Sequence, residues 1–170
     1  MGALSSEALM ALTLVTHSPR QTQALGSLMG RLARPGDVIL LVGPLGAGKT
    51  CLVQGLARGL GVHDYVTSPT FTIIREYRGK MPLYHMDCFR IEGPEGTREL
   101  GLEDYFAGRG LCVVEWADRI INELPSQHLL VTLEYRGDRE RALHLEARGP
   151  RYVALLETLR RRHSLEEEKP

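Results

Sequence analysis

The sequence of 170 residues has no net charge, no closely spaced cysteines and no long hydrophobic run. Its 21 basic and 21 acidic residues cancel, which excludes a uniformly basic nucleic-acid-binding protein and an acidic solvating chain but leaves room for a local patch. The three cysteines, Cys51, Cys88 and Cys112, form no CxxC pair, so neither zinc nor redox chemistry is indicated. They fit reduced, buried thiols in a cytosolic protein.

The apolar segment Ala8–Val15 is too short to span a membrane, and no Lys or Arg precedes it. We therefore expect a tail that leads into a first strand, and no membrane partner. The fractions of hydrophobic residues, 43%, and of charged residues, 25%, are close to the globular average and allow a sizeable core. We predict a single domain over residues 1–163, followed by a flexible, solvated tail over residues 164–170.

Helix-like and strand-like segments alternate along the chain. The apolar runs Val38–Val42 and Leu111–Glu115 are typical of strands buried on both faces. The pair Ser18-Pro19 predicts a helix start, because a hydroxyl cap precedes a proline at the first helical position. Further strands are predicted at Leu12–Val15, Phe71–Tyr77, Leu83–Phe89, Leu129–Tyr135 and Ala142–Ala147, and further helices at Pro94–Phe106, Arg119–Leu124 and Pro150–Arg162. This order predicts a three-layer α/β fold, mainly parallel, with antiparallel hairpin additions.

Residues 43–50 match the pattern G-x-x-x-x-G-K-[ST] in full, between a buried strand and an amphipathic helix. Its glycines permit backbone conformations that a Cβ would block, so that successive N–H groups converge on phosphate oxygens. Lys49 places a positive charge near the β- and γ-phosphates, and the Thr50 hydroxyl suits Mg²⁺. The sequence therefore predicts the P-loop NTPase fold and a nucleotide site.

Acidic residues follow apolar residues within two of the predicted strands. Glu115 follows four apolar residues, and Asp87 ends a looser run. Because the carboxyl ends of parallel strands lie where the P-loop lies, both acids could face the phosphates. A carboxylate there can bind Mg²⁺ directly or through water, or orient the attacking water. The alternative for each acid is a solvated strand end or a partner for a nearby Arg.

Two weaker features accompany these acids. The segment Ser68-Pro69-Thr70 lies between the P-loop helix and the next strand, where a hydroxyl could sense the γ-phosphate, although it is also ordinary turn chemistry. Trp116, the only tryptophan, directly follows Glu115. Its side chain could form a wall of the site or belong to the core or an interface.

Taken together, the motifs resemble the bacterial TsaE (YjeE) family of ATPases in tRNA threonylcarbamoyladenosine biosynthesis. The P-loop alone is shared by many proteins, but the S-P-T-[FY]-T, Y-H-x-D-x-[FY]-R and V-E-W segments are far more specific. The matching segments are Gly43–Thr50, Ser68–Thr72, Tyr84–Arg90, Asp104–Phe106 and Val114–Trp116. They occur in the family's order and cover residues 12–150.

The resemblance implies binding of ATP and Mg²⁺ and slow hydrolysis to ADP and phosphate that partners stimulate. It implies two protein partners, TsaB and TsaD, which transfer threonylcarbamoyl to N6 of adenosine 37 in tRNAs that read codons starting with A. The family member supports their cycle and does not transfer the group itself. We expect contact with tRNA mostly through these partners, a cytoplasmic location and no binding to DNA.

The resemblance also assigns roles to residues. It implies catalytic roles for Lys49, Asp87 and Glu115, and metal binding by Thr50 and Glu115. The residues expected at the nucleotide are Gly43, Gly46, Ala47, Gly48, Lys49, Thr50, Cys51, Thr70, Asp87 and Trp116, together with positions at or near Ser18 and Arg139. Cys51 departs from the family, which commonly has a second Thr there. Its backbone N–H can still hold the α-phosphate, but the role of the missing hydroxyl is in doubt.

Some alternatives remain open at the level of sequence. Arg75, Arg90 and Arg139, or a residue of a partner, are candidates for an arginine finger. A P-loop small-molecule kinase is one rival function, and residues 136–139 could be misread as part of the arginine-bearing lid of such an enzyme. A nucleotide-gated interaction module without useful turnover is another. A GTPase is disfavoured, because the sequence contains no N-K-x-D motif.

Overall fold

The computed structural model describes residues 9–70 and 73–167 of the chain. The strands are β1 Leu9–Thr16, β2 Val38–Val42, β3 Ile74–Arg78, β4 Pro82–Asp87, β5 Leu111–Glu115, β6 His128–Tyr135 and β7 Arg141–Arg148. The helices are α1 Pro19–Leu32, α2 Lys49–Gly59, α3 Gly93–Arg98, α4 Leu102–Phe106 and α5 Pro150–Glu167, with a 3-10 helix at Ala117–Glu123. No helix among the described residues is both long and apolar enough to cross a membrane.

The strands form one sheet in the order β1-β7-β6-β2-β5-β4-β3. Its centre, β6-β2-β5-β4, is parallel, whereas β7 and β1 at one edge and β3 at the other pair antiparallel. Helices α1, α2 and α5 pack on one face, and α4 and the 3-10 helix pack on the other. The predicted three-layer α/β fold, with a parallel core and antiparallel additions, is therefore confirmed.

Helices α1 and α2 lie with their backbones in close contact. A Cβ on Gly26 would lie 2.4 Å from the carbonyl oxygen of Leu52, and one on Gly55 would lie 2.2 Å from that of Gln23. Contacts this close require glycine on both helices, because any side chain would overlap the opposing backbone. The packing fixes α2, and with it the glycine-rich turn that precedes the helix, against the rest of the α1–α2 layer.

Several predicted boundaries need correction. The single helix predicted over Pro94–Phe106 is wrong, because the chain forms α3 and α4 with a break at Gly101, whose φ is 62°. A left-handed residue interrupts the helical hydrogen bonding and redirects α4 so that Leu102 is buried. Strand β4 ends at Asp87, two residues before the predicted end. The predicted strand at Phe71–Tyr77 begins at Ile74, and residues 71 and 72 lie outside the described residues.

The ends of the chain differ from the prediction as well. Strand β1 begins at Leu9, three residues earlier than expected, and residues 1–8 lie outside the described part. Helix α5 continues to Glu167, so residues 164–167, which were predicted to belong to the tail, are helical. Residues 168–170 lie outside the described residues, and the flexibility of the tail stays a prediction.

Candidate functional site

The glycine-rich loop connects the end of β2 to the start of α2. Gly46 and Gly48 have φ values of 79° and 102°, in the left-handed region that residues with a Cβ rarely adopt. Gly43 is needed for space, because a Cβ there would lie 2.6 Å from the carbonyl oxygen of Leu133. The first N–H groups of a helix have no intrahelical acceptors and carry a partial positive charge. The start of α2 can therefore bind an anion such as a phosphate.

The side chain of Lys49 turns back toward the first residues of this loop and is only 5% exposed. Its Nζ donates hydrogen bonds to the carbonyl oxygens of Gly43 at 2.5 Å and Pro44 at 2.9 Å and lies 4.3 Å from the centre of the Trp116 ring. Burial lowers the pKa of Lys49, and the carboxylate of Glu115 opposes this shift. Neutral carbonyl groups thus hold the ammonium, and a phosphate oxygen would form a stronger, charge-assisted bond.

Glu115 lies at the end of β5 between a hydroxyl and an imidazole. The Thr50 hydroxyl donates to Glu115 Oε1 at 3.4 Å, and His85 Nε2 lies 2.5 Å from Oε2. When Glu115 is ionised, Nε2 must be the donor, since a carboxylate only accepts. His85 is fully buried, and its Nδ1 has no hydrogen-bond partner in the described structure. The carboxylate is therefore oriented with one oxygen toward Thr50 and the other toward the core.

Asp87 at the end of β4 accepts three hydrogen bonds. Its Oδ2 accepts from Ser68 Oγ at 2.7 Å and from Thr70 Oγ1 at 3.3 Å, while its Oδ1 accepts from the backbone N–H of Phe89 at 2.9 Å. The β4–β5 register places Asp87 directly opposite Glu115. The structure thus brings both predicted acids and the 68–70 loop together.

A cavity of about 340 Å³ opens between these groups, which is within the usual size of small-molecule sites. Its walls include eight residues that were predicted at the nucleotide, namely Gly46, Gly48, Lys49, Thr50, Cys51, Thr70, Asp87 and Trp116, and also Glu115, which was predicted as a metal ligand and catalytic residue. Three further residues, Leu45, Ser68 and Phe89, complete the lining. Gly43 and Ala47 belong to the loop but do not line the cavity, and Ala47 is fully buried.

The two peripheral predicted positions, Ser18 and Arg139, lie outside this lining. Ser18 caps α1, where its Oγ accepts the N–H of Gln21 at 3.2 Å. The next residue, Pro19, accepts a weak hydrogen bond from Cys51 Sγ at 3.3 Å, so the start of α1 is adjacent to the site. Arg139 is in the exposed turn between β6 and β7. Nucleotide contacts from either residue stay predictions.

The arginine-finger candidates are likewise outside the lining. Arg75 is exposed and donates to Thr67 Oγ1 at 3.1 Å, and Arg90 is exposed. Arg119, which the sequence did not single out, lies closer, with its guanidinium 5.2 Å from the Phe89 ring and 5.9 Å from the Trp116 ring. The structure thus brings none of the three predicted arginines into the cavity wall.

Trp116 forms one wall of the cavity. It has a left-handed φ of 56°, and its ring packs on that of Phe89 with centroids 4.9 Å apart. This geometry turns the chain sharply after Glu115 and lays the indole beside the Lys49 ammonium. Of the two interpretations left open by the sequence, the geometry favours a wall of the site.

The site residues fit a magnesium ion that arrives with a nucleotide. In the described part of the chain, no group of three or more His, Cys, Asp or Glu side chains could hold a metal. The Thr50 hydroxyl and the Glu115 carboxylate are adjacent hard oxygen ligands. Mg²⁺ prefers six oxygens and usually keeps waters and substrate phosphates among them. Two protein oxygens beside a phosphate-binding loop therefore match this ion.

His85 is the main residue of the site that sequence reasoning missed. Side chains alternate along a strand, so His85 projects from the same face of β4 as Asp87. That alternation was the available signal. The partner on β5 could be recognised only once the register between the two strands was known.

The fold and the glycine-rich loop, with acids at the ends of two adjacent parallel strands, define a P-loop nucleotide-binding protein. Residues 16–143 match the sequence model described as "Threonylcarbamoyl adenosine biosynthesis protein TsaE". The chain belongs to the TsaE family.

Relatives and a solved structure agree with this assignment. The chain is 46% identical to the tRNA threonylcarbamoyladenosine biosynthesis protein TsaE of Bacillus subtilis, over 88% of this chain and 94% of the relative. It is 41% identical to the protein of the same name from Treponema pallidum, over 76% and 96%. A crystal structure of Bacillus subtilis YdiB superposes with a TM-score of 0.81 at 42% identity, covering 92% of this chain and 98% of that one.

Proposed function

We propose that this chain is a Mg²⁺-dependent ATPase that works with TsaB and TsaD in the threonylcarbamoylation of adenosine 37 N6, in tRNAs that read codons starting with A. The convergence of Lys49, Thr50 and Glu115 on one cavity carries the proposal. The relatives named for threonylcarbamoyladenosine biosynthesis supply the pathway. In this proposal the chain acts in the cytoplasm and drives the cycle of its partners, without transferring the group itself.

The loop residues neutralise charge on the phosphates. The start of α2 and Lys49 line the same cavity, so their N–H groups and ammonium would stabilise negative charge that develops as the γ-phosphoryl group is transferred to water. Thr50 and Glu115 would hold Mg²⁺, which when bound neutralises phosphate charge between the β and γ positions. The exchange of carbonyl acceptors for phosphate oxygens would release Lys49 from Gly43 and Pro44.

Asp87 is the group that would orient the attacking water. Hydrogen bonds from Ser68, Thr70 and the Phe89 N–H fix the plane of its carboxylate. A carboxylate fixed in this way can accept a hydrogen bond from water and direct a lone pair of the water toward phosphorus. Because two of the three donors belong to the 68–70 loop, a shift of this loop would also shift Asp87. This loop would therefore link the nucleotide state to hydrolysis.

The experiment compares the wild type with Lys49→Ala, Glu115→Ala and, as a control for acid removal, Glu123→Ala, which changes an exposed acid outside the cavity. ATP binding, phosphate release and tRNA modification with TsaB and TsaD are measured. Lys49→Ala should lose all three activities. Glu115→Ala should bind ATP, hydrolyse it about 100-fold more slowly or worse, and fail in modification. Modification at the wild-type rate by Glu115→Ala would instead support a non-hydrolysing interaction module.

A further inference from the structure

The zero net charge of the chain conceals a separation of charge between the two faces of the sheet. Residues 17–63, which include α1 and α2, contain five basic residues and one acid. Residues 92–123, which include α3, α4 and the 3-10 helix, contain eight acids and three basic residues. These two groups of helices cover opposite faces of the sheet. Lys49 and Glu115 are buried, so the exposed charges are four arginines in the first segment and seven acids with three arginines in the second. The first segment therefore presents a basic surface and the second an acidic one.

Asp37, the single acid of residues 17–63, does not weaken the positive charge at the surface of this segment. Asp37 is 3% exposed, and both of its carboxylate oxygens accept hydrogen bonds from Arg151, at 2.9 Å and 2.7 Å. Its charge is thus neutralised in the interior. Arg20 and Arg58 are exposed on α1 and α2, and Asp64, which follows the segment, lines a neighbouring pocket with Arg58.

A groove along α1 and α2 collects these arginines. It has a volume of about 340 Å³ and is lined by Arg20, Gln23, Ala24, Ser27, Arg31 and Arg58, with no acidic side chain among them. In the described structure, the guanidinium groups of Arg20 and Arg58 make no hydrogen bond or ion pair with the protein. Arg20 and Arg31 are eleven residues apart on one helix, or about 16 Å. The groove thus offers several separated cations along a shallow, polar floor.

The side chains of the groove are better suited to bind a phosphodiester backbone than a protein surface. Protein interfaces are built around buried aromatic and aliphatic anchors. None of the exposed large hydrophobic residues of the described chain lines this groove. Interfaces with nucleic acid are polar and positively charged, and arginine, glutamine and serine are among the side chains that contact phosphates in them.

We propose that the α1–α2 groove binds the phosphate backbone of tRNA directly. The inference rests on the proposed function, which makes tRNA the nucleic acid that the chain meets. It replaces the expectation, drawn from zero net charge, that tRNA is held mostly through TsaB and TsaD. Recognition is through charge and shape, so the groove contributes affinity and orientation without selecting a base sequence.

The test uses the full chain and an unmodified transcript of a tRNA that reads a codon starting with A. The double variant Arg20→Gln/Arg58→Gln is compared with Arg98→Gln/Arg109→Gln, which removes the same charge from exposed positions in the acidic segment 92–123. Binding is measured between 50 and 200 mM salt, the usual range for such titrations. The groove variant should weaken binding about tenfold or more at 100 mM salt and reduce the slope of log K against log salt by about 1.5. The control variant should match the wild type.

Four results would overturn the inference. The first two are a groove variant that binds tRNA as tightly as the wild type, and two double variants that lose tRNA affinity equally. The third is a wild type that does not bind tRNA at 50 mM salt. The fourth is a groove variant that loses binding to TsaB–TsaD but still binds tRNA normally. The last result would assign the groove to an acidic protein surface. Phosphate release is measured on the same samples, and the groove variant should keep the basal rate. If the groove variant releases phosphate normally and binds tRNA as the wild type does, only the proposal of tRNA binding in the groove is rejected. If the wild type releases no phosphate, the proposed ATPase function is rejected.

Discussion

At the scale of single residues, the site depends on how buried polar groups orient one another. Glu115 is 2% exposed and could turn its carboxylate in more than one way, but His85 and Thr50 each bind one of its oxygens. A neighbour that orients a metal-binding carboxylate commonly affects activity 10- to 100-fold, by order of magnitude. His85 is therefore a positioning residue for Glu115.

Removal of the His85 donor should lower both stability and turnover. His85→Leu leaves Glu115 Oε2 buried without a partner, which should cost about 1–3 kcal/mol in the free energy of unfolding. It should also lower kcat about tenfold. In His85→Gln, the side-chain amide N–H can lie about as close to Glu115 Oε2 as His85 Nε2 does. This variant should therefore have a higher kcat than His85→Leu. Urea unfolding and phosphate release measure the two effects. Equal kcat values for the Leu and Gln variants would show that the hydrogen bond to Glu115 is not what matters.

The three cysteines should differ in reactivity. Cys88 and Cys112 are each 1% exposed, and burial raises the pKa of both thiols to about 12. Cys51 lines the cavity and is only partly buried, although burial also raises the pKa of its thiol. Native protein at pH 8 should therefore react with a disulfide reagent at Cys51 alone. The rate should increase with pH, because the thiolate fraction grows as pH approaches the raised pKa.

Saturating ATP with Mg²⁺ should slow this reaction, since the nucleotide would cover Cys51 in the cavity. Cys51→Ser is the control and should abolish the native reaction while leaving two thiols that react after denaturation. Reactivity that ATP does not change would place the thiol outside the nucleotide contact region.

At the scale of elements, the glycine contacts between α1 and α2 hold the phosphate-binding helix in place. They occur on both helices, at Gly26 and Gly30 on α1 and at Gly55 and Gly59 on α2. Each missing Cβ would lie between 2.1 and 2.4 Å from a backbone oxygen of the other helix. Backbone atoms cannot turn away as a side chain can, so the helices themselves would have to separate.

Gly55→Ala should therefore destabilise the protein, although alanine is the better helix former. We expect the free energy of unfolding to fall by about 2–3 kcal/mol through overpacking. Gly96→Ala is the control, because Gly96 is also helical but its Cβ would meet only the Ile91 side chain, at 3.0 Å. It should stay within about 1 kcal/mol of the wild type. Denaturant unfolding measures both variants, and equal losses would refute the backbone-contact explanation.

The sequence predicted elements best where hydrophobic burial alone determines them. The bounds of β2 and β5 were predicted correctly, because a continuous apolar run marks a strand buried on both faces. The single helix predicted over Pro94–Phe106 failed because nothing in the local pattern distinguished a left-handed Gly101 from a tolerated helical glycine. Likewise, the loop motif is enough to predict a phosphate site, whereas the His85–Glu115 contact depends on strand register, which one sequence does not reveal.

At the scale of the whole molecule, hydrogen bonds and a short stretch of backbone connect the basic groove to the cavity. Gln23 Nε2 donates to Gln54 Oε1 at 3.1 Å, and Gln54 Nε2 donates to the carbonyl oxygen of Val66 at 3.0 Å. Val66 lies two residues before Ser68, whose hydroxyl donates to Asp87. A tRNA in the groove would thus lie at one end of a path of two hydrogen bonds, two residues of backbone and a third hydrogen bond, with the proposed water-orienting carboxylate at the other end. Coupling along this path would let tRNA or partner binding alter hydrolysis.

The central claim is that this cavity hydrolyses ATP for the TsaB–TsaD cycle. The most direct measurement is the rate of phosphate release with and without purified TsaB–TsaD, for the wild type and for Lys49→Ala. TsaB–TsaD alone serves as the background. We predict slow release by the wild type, a clear increase when the partners are added, and no release above background with Lys49→Ala in either condition. Release that the partners do not increase, or that Lys49→Ala retains, would contradict it.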